Sequence, residues 1–284
     1  MKNTVLVVGA AGGVGLALLR FLRDRGYSVI GTVLDAEQAL AVRGQAPDCE
    51  AVIQVDLADA NSIASALLPK LTRAGLRLDG VIVCAAIAPH GPLELAPLGQ
   101  LRLALEVNAV SCVAVYQACM PFLRQSQGRL IFVSSFGGRA GFPLIGHYCA
   151  SKFALEGLGD VMRREAAPFK VPVILIEPGA LRTGMTVSQL ANIGSDMEAL
   201  SPRDRALYGD LYAGFRAVVE RAVKCGTEPE IVATAIVDAL ETDAPRARYQ
   251  VGQDATDLIT MSRAVSDEQM DAVFTQMLTL PVTP

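Results

Sequence analysis

The sequence predicts an α/β fold: a doubly wound parallel sheet of about seven strands in a single domain, with a helical segment above the sheet. Three observations predict it. Short apolar runs rich in Val and Ile recur along the chain without polar alternation. Stretches with helical spacing separate them, and a glycine-rich turn joins the first run to the first such stretch. Continuous apolar runs suit strands covered on both faces, and their alternation with helices implies right-handed βαβ units.

The strand-like runs are Val5–Val8, Val29–Val33, Val52–Leu57, Val81–Ala86, Leu130–Ser135 and Val171–Ile176, with a weaker one at Arg248–Gly252. Leu16, Leu19 and Leu22 share one helical face, as do Ile63, Leu67 and Leu71. Residues 181–225 carry no strand signal and read as a helical lid. Glu228 to Leu240 reads as a helix, with Pro229 and early carboxylates suited to its N-terminus. The tail, 253–284, reads as helical and amphipathic. No repeat or linker divides the 284 residues, a length within reach of one large core.

Composition narrows the class. Hydrophobic residues make up 51% and charged ones 19%, which excludes a disordered chain. Trp is absent and aromatics are only 5%, so Val, Leu, Ala and Ile must build the core. The apolar excess also suggests surface buried between subunits. The net charge is −4 without a Lys/Arg run, so neither a nucleic-acid partner nor a polybasic membrane anchor is expected. The N-terminal apolar run breaks at Gly9, too early for a signal peptide. No stretch of about 18 apolar residues stands out as a membrane span. The six cysteines (Cys49, Cys84, Cys112, Cys119, Cys149 and Cys225) form no CxxC pair, and there are two histidines. Zinc spacing is missing, no metal site is expected, and reduced thiols fit a cytoplasmic protein.

Gly9-Ala10-Ala11-Gly12-Gly13-Val14-Gly15 follows the first strand and opens a helix. Glycines there permit a tight turn, close backbone approach to a pyrophosphate and close helix–strand packing. The helix N-terminus adds free N–H groups and its positive dipole end. A purely structural turn is the alternative. After the second strand, Asp35 has the spacing of a ribose-binding acid but also of a helix cap, while Val33 occupies the strand tip and Leu34 follows it. Asp56, before Leu57, is placed to bond an adenine amino group or to cap the next helix.

Tyr148 and Lys152 stand at i and i+4 of a helical run, so phenol and ammonium share a face. A neighbouring cation favours phenolate, so Lys152 is expected to lower the Tyr148 pKa. Ser134-Ser135 end the fifth apolar run, where a hydroxyl can bond a substrate oxygen. Asn108 lies in an apolar helical stretch and needs a partner, which a water linked to Lys152 would supply. Pro178-Gly179 follow the sixth run and Thr183 comes next, suited to hold a carboxamide or a phosphate.

Together these residues resemble the short-chain dehydrogenase/reductase family over nearly the whole chain and in the family's order. The glycine motif matches at Gly9, Gly13 and Gly15, with Val8 where Thr is usual. The tetrad resembles Asn108, Ser135, Tyr148 and Lys152. Gly91-Pro92-Leu93-Glu94, Ser151 to Gly157, Ile176 to Ala180 and Arg248 to Gly252 look like the hydroxysteroid/retinol dehydrogenase-like branch. The resemblance implies a Rossmann-type fold and hydride transfer between a nicotinamide cofactor and a ketone or secondary alcohol of a mainly apolar small molecule, steroid-, retinoid- or acyl-like.

By that resemblance Tyr148 exchanges the proton, Ser135 steadies the oxygen, Lys152 binds the nicotinamide ribose and Asn108 holds a relaying water. Gly9, Gly13, Val14, Gly15, Leu34, Asp56, Leu57, Cys84, Ala85, Ala86, Pro178, Gly179, Leu181 and Thr183 would contact the cofactor. Val83-Cys84-Ala85-Ala86 replaces the family's Asn-Asn-Ala-Gly, which removes two asparagines and adds a methyl near the ribose. With no acid at Val33 the preference leans to NADP(H) over NAD(H), a 2′-phosphate then resting on Thr32 or a remote Arg. The family implies a homodimer or homotetramer through the helices carrying Asn108 and Tyr148. Met185, Leu190, Met197, Leu200, Tyr208 and Tyr212 would line the lid or merely pack, and His90, His147 and Cys149 read as structural. The alternatives are a non-catalytic dinucleotide-binding sensor or scaffold, and a cofactor-dependent epimerase or dehalogenase on the same fold.

Overall fold

Strand β1 (Thr4–Val8) sends Leu6 and Val8 to one face of the sheet and Val5 and Val7 to the other, and all four are buried. Both faces are therefore covered, as the unbroken apolar run required. The computed structural model describes residues 3–72 and 76–279. After β1 come α1 (Gly13–Asp24), β2 (Ser28–Val33), α2 (Ala36–Gln45), β3 (Ala51–Gln54), α3 (Ala60–Leu71) and β4 (Leu78–Val83). Next are α4 (Leu98–Leu105), a π-helical turn (Glu106–Val110), α5 (Ser111–Ser126), β5 (Arg129–Val133) and α6 (Gly146–Ala166). The chain closes with β6 (Val173–Pro178), α7 (Gly184–Ala199), α8 (Pro202–Cys225), α9 (Pro229–Glu241), β7 (Arg248–Val251), α10 (Gln253–Ala264) and α11 (Asp267–Thr279).

Among the described residues seven strands form one parallel sheet in the order β3-β2-β1-β4-β5-β6-β7. The order reverses between β1 and β4, and in such sheets ligands bind at the carboxyl ends of the strands beside that switch. One core layer joins the sheet to α3, α5 and α6, the other joins it to α1, α2 and α9. A third apolar cluster brings Phe142, Tyr212, Phe215 and Phe274 together with Ile193 of α7 and Leu258 of α10.

The expected strands all form, with shifted ends. The third stops at Gln54 rather than Leu57. Val55 and Leu57 remain buried and continue the apolar alternation after the ladder has ended. The fourth runs Leu78–Val83 rather than Val81–Ala86, because polar Asp79 hides its start. The fifth ends at Val133, before the two serines. The sixth runs Val173–Pro178, carrying the buried charge of Glu177 inside the strand. The seventh ends at Val251, and α9 is one residue displaced from its expected bounds. Residues 181–225 are helical as α7 and α8 after a single bridge, Leu181 to Thr227. The tail is helical to Thr279; 280–284, like Met1 and Lys2, lie outside the described residues. The continuous helix Leu98–Ser126 has the length and mean hydropathy (1.4) to cross a membrane, contrary to the expectation from sequence. Half of its apolar window is buried, and Cys112, Val115, Cys119 and Leu123 pack in the core.

Candidate active site

The turn after β1 is built around backbone approach. Gly9 has φ +90°, and a side chain on it would stand 2.6 Å from the Ala85 amide nitrogen. A side chain on Gly15 would stand 2.3 Å from the Gly9 carbonyl oxygen. The Gly9 and Ala10 amides donate to the hydroxyl and carbonyl of Thr32, at 3.2 and 2.8 Å. Gly12 caps α1 without a side-chain hydrogen bond, and the first turn holds no acid. That open, uncharged helix start fits a dinucleotide pyrophosphate. The side chain of Val14 is buried, so this residue offers only backbone. Gly13 faces Thr183 across the turn: a Cβ there would lie 3.3 Å from the threonine methyl. Thr183 also caps α7, accepting from the Thr186 amide at 3.4 Å.

At the adenosine end the acids do other work. Asp35 caps α2 by accepting the Gln38 amide at 2.8 Å, while Gln38 Oε1 accepts the Leu34 amide at 3.1 Å. The cap reading of Asp35 therefore holds. Asp56 lies beyond β3, exposed, and accepts the Ala58 amide at 2.9 Å. The α3 cap is Asp59, not Asp56. Leu57 turns its side chain into the core, and Leu34 is exposed. Thr32 is buried, and its hydroxyl accepts the Gly9 amide.

Cys84 takes over part of the bracing that asparagine would supply. Its thiol donates to the Val8 carbonyl at 3.2 Å, beside the Cys84 and Ala85 amides that bond the same oxygen at 3.0 and 3.1 Å. Burial pushes this thiol up to about 12. Ala86 is half-buried just beyond.

Asn108 is fully buried in the π-helical turn, a local distortion that often accompanies functional sites. Its Oδ1 accepts the Ile87 amide at 2.9 Å, and its Nδ2 donates to the Ile87 carbonyl at 2.8 Å and the Ser151 hydroxyl at 2.9 Å. Protein groups thus supply partners for this buried side chain. The side chain ties the segment after β4 to α6.

Ser135 follows β5, starts a short 3-10 turn and accepts the Gly137 amide at 3.0 Å. Tyr148 and Ser135 flank Gly137: a Cβ on that glycine would stand 3.3 Å from Tyr148 Cε1 and 3.5 Å from Ser135 Oγ. Lys152, 2% exposed, donates to the Val133 carbonyl at 2.8 Å, with Nζ 5.6 Å from the Tyr148 ring centroid. The helix therefore brings phenol, ammonium and serine together as expected. The pKa expectation is overturned. Burial pushes Tyr148 up to about 12, opposed by Ser135 and not relieved by Lys152. Burial also brings Lys152 down to about 8, opposed by Cys112, Glu156 and Cys84. In this low-dielectric setting desolvation outweighs the pairwise attraction.

Tyr148 packs against the third apolar cluster, as do Leu190, Met197 and Leu200; Met185 is exposed and is not part of it. Tyr212 is buried, and Tyr208 bonds Glu94. His90 Nε2 lies 2.9 Å from the Asp196 carboxylate, His147 is buried, and the Cys149 thiol accepts the Phe142 amide, in keeping with structural roles. Sequence reasoning missed Ile87 and Ser151 as partners of Asn108, the Val133 carbonyl as partner of Lys152, and Asp254, which accepts the Ala180 amide at 2.7 Å. An acid in the first turn after a strand and a glycine was the available signal for the last.

A family model described as short chain dehydrogenase matches residues 3–194. The chain is 32% identical over 257 residues to 17-beta-hydroxysteroid dehydrogenase type 6 of Homo sapiens, covering 88% of this chain and 81% of that protein. It is 30% identical over 257 residues to retinol dehydrogenase 16 of Rattus norvegicus, with the same coverage. The solved structure of a short-chain dehydrogenase from Streptomyces avermitilis has a TM-score of 0.75 at 26% identity, covering 97% of this chain and 94% of that one.

Proposed function

The chain belongs to the short-chain dehydrogenase family and is a nicotinamide-dependent oxidoreductase, and from that premise we propose that it interconverts a ketone and a secondary alcohol on a mainly apolar small molecule, steroid-, retinoid- or acyl-like. The observation that carries the reading is the grouping of Tyr148 and Ser135 around Gly137, one helical turn from buried Lys152 and against an apolar cluster. The names of the relatives, a hydroxysteroid and a retinol dehydrogenase, support the substrate class. Helices α7 and α8 serve as the lid.

When bound, the nicotinamide supplies or takes up the hydride. The α1 start at Gly9, Gly13, Val14 and Gly15 binds the pyrophosphate through backbone. The contact of Thr183 with Gly13 favours the phosphate over the carboxamide as its ligand. Leu34, Asp56, Leu57 and Cys84 to Ala86 border the adenosine, and Pro178, Gly179 and Leu181 hold the nicotinamide end. Lys152, which donates to the Val133 carbonyl, would hold the nicotinamide ribose. Tyr148 keeps its proton at neutral pH, since burial holds it near 12. It is therefore poised as an acid toward a carbonyl oxygen, which Ser135 steadies. In oxidation the deprotonated form, the Tyr148 phenolate, accepts the alcohol proton, a direction that rising pH assists. Asn108 positions this machinery by holding Ile87 against α6.

The cofactor preference is NADP(H) over NAD(H), supported by buried Val33 at the β2 tip and by Asp35 being engaged as a cap. Unpaired thiols at all six cysteines support a reducing, cytoplasmic setting. A homodimer or homotetramer forms through α4, α5 and α6. Exposed Leu103 and Val110, with exposed Ala150, Phe153, Gly157 and Val161 in a stripe along α6, support that surface. The test is a panel of apolar ketones and alcohols with NADPH and NADH, read by nicotinamide absorbance. Turnover of an apolar ketone with preference for NADPH supports the reading. A substrate converted with no net redox change would replace it with epimerisation or dehalogenation.

A further inference from the structure

The segment between β6 and α7 is clamped from three sides. The Gly179 amide bonds the Val251 carbonyl at 2.9 Å, extending the β6–β7 ladder. Ala180 and Arg182 exchange backbone bonds with Thr227 at 2.9 and 3.0 Å. Thr186 Oγ1 donates to the Leu181 carbonyl at 2.6 Å. The Ala180 amide is taken by Asp254 Oδ2 at 2.7 Å.

Asp254 is more than an ordinary first-turn acid of α10. Two glycines far apart in the chain make room for its carboxylate. A Cβ on Gly179 would stand 2.0 Å from Oδ1, and a Cβ on Gly252 would stand 2.6 Å from the same oxygen. Gly252 also has φ +97°, so the backbone turns there in a way that favours glycine. Pro178-Gly179-Ala180 and Val251-Gly252-Gln253-Asp254 are therefore two halves of one close-packed contact. Its hydrogen bond joins a neutral amide to a charged acceptor, and the N-terminal dipole of α10 steadies that charge.

We infer that Asp254 is a positioning residue for cofactor binding: from α10 it fixes the Ala180 amide, and with it the Pro178–Thr183 segment that receives the nicotinamide end. This rests on the proposed role of that segment. It assigns a task to the motif after β7, which the reaction itself does not use.

The experiment is calorimetric titration of NADPH and NADH into the full chain and its variants, with thermal unfolding alongside. Asp254→Ala should weaken dinucleotide binding about tenfold, as expected for losing a hydrogen bond to a charged acceptor, and leave the substrate KM at saturating cofactor unchanged. Asp254→Asn retains an acceptor of the same shape and should recover affinity to within about threefold of the native protein. Gly179→Ala should weaken binding at least tenfold, by about the energy of driving a methyl into the carboxylate. Adding Asp254→Ala to Gly179→Ala removes that clash, so the double variant should bind no more weakly than Asp254→Ala alone. Asp254→Ser serves as the truncated variant if Asp254→Ala does not fold. Native affinity in the truncated variant, with binding lost in Gly179→Ala, overturns the role of Asp254 and leaves the segment's role standing. Native affinity in Gly179→Ala overturns the segment's role itself. Equal losses in the Asn and truncated variants, or full additivity in the double variant, also overturn the inference.

Discussion

Replacing Lys152 by methionine should stabilise the free protein while abolishing its turnover. The ammonium is 2% exposed, with the Val133 carbonyl at 2.8 Å as its hydrogen-bond partner. In the unfolded chain it titrates near 10.5 and in the folded protein near 8, a difference equivalent to about 3 kcal/mol against the charged folded form. The bond to Val133 returns about 1–2 kcal/mol, so an apolar side chain of similar length should gain about 1–2 kcal/mol. For a chain of this size that raises Tm by roughly 2–4 °C. The sign depends on pH. Below about 8 both states hold the proton and the whole cost is present; between about 8 and 10.5 the unfolded chain binds more protons, so native stability rises with pH and the advantage of Lys152→Met shrinks. Thermal and urea unfolding at a series of pH values would measure it. A variant less stable than the native protein at neutral pH, or an advantage independent of pH, would refute the reasoning. The stability given up at Lys152 is the kind that active sites commonly forgo.

Asn108→Ala strands the Ile87 amide and carbonyl, so it should cost about 2–5 kcal/mol in urea unfolding and lower kcat with it. Phe153→Glu places a charge in the exposed stripe of α6 and should shift gel filtration toward the 30.0 kDa monomer; an unchanged elution position would place the interface elsewhere. For carbonyl reduction, kcat/KM of the free enzyme should fall as pH rises through about 8, where Lys152 loses its proton, well before Tyr148 titrates near 12. A profile flat through that range would separate Lys152 from catalysis.

The parallel sheet was legible because seven apolar runs carry its strands, and because continuous burial on both faces leaves no polar alternation to confuse them. Strand ends were less legible where burial and pairing part company. Val55 and Leu57 are buried without belonging to β3, while Glu177 belongs to β6 as a buried charge. Tyr148, Lys152 and Ser135 could be found because helical spacing and a strand end bring them together. Their ionisation could not, since it depends on how completely the fold removes water. Asn108 and Asp254 take backbone partners from distant segments, at Ile87 and Ala180, and a residue's identity says nothing of which amide will reach it. Glycines partly repair that gap. Gly9, Gly15 and Gly179 each mark a place where another part of the chain comes too close for a Cβ.

The most direct measurement compares dinucleotide binding and turnover of an apolar ketone in the native protein and in Tyr148→Phe, which removes one oxygen from the pair with Ser135. Tyr148→Phe should bind NADPH within about twofold of the native protein and lose turnover by roughly a hundredfold to ten-thousandfold, the range of general acid catalysis. Turnover at the native rate in Tyr148→Phe would contradict the assignment of the proton to this hydroxyl and, with it, the mechanism built on the Tyr148–Ser135–Lys152 site.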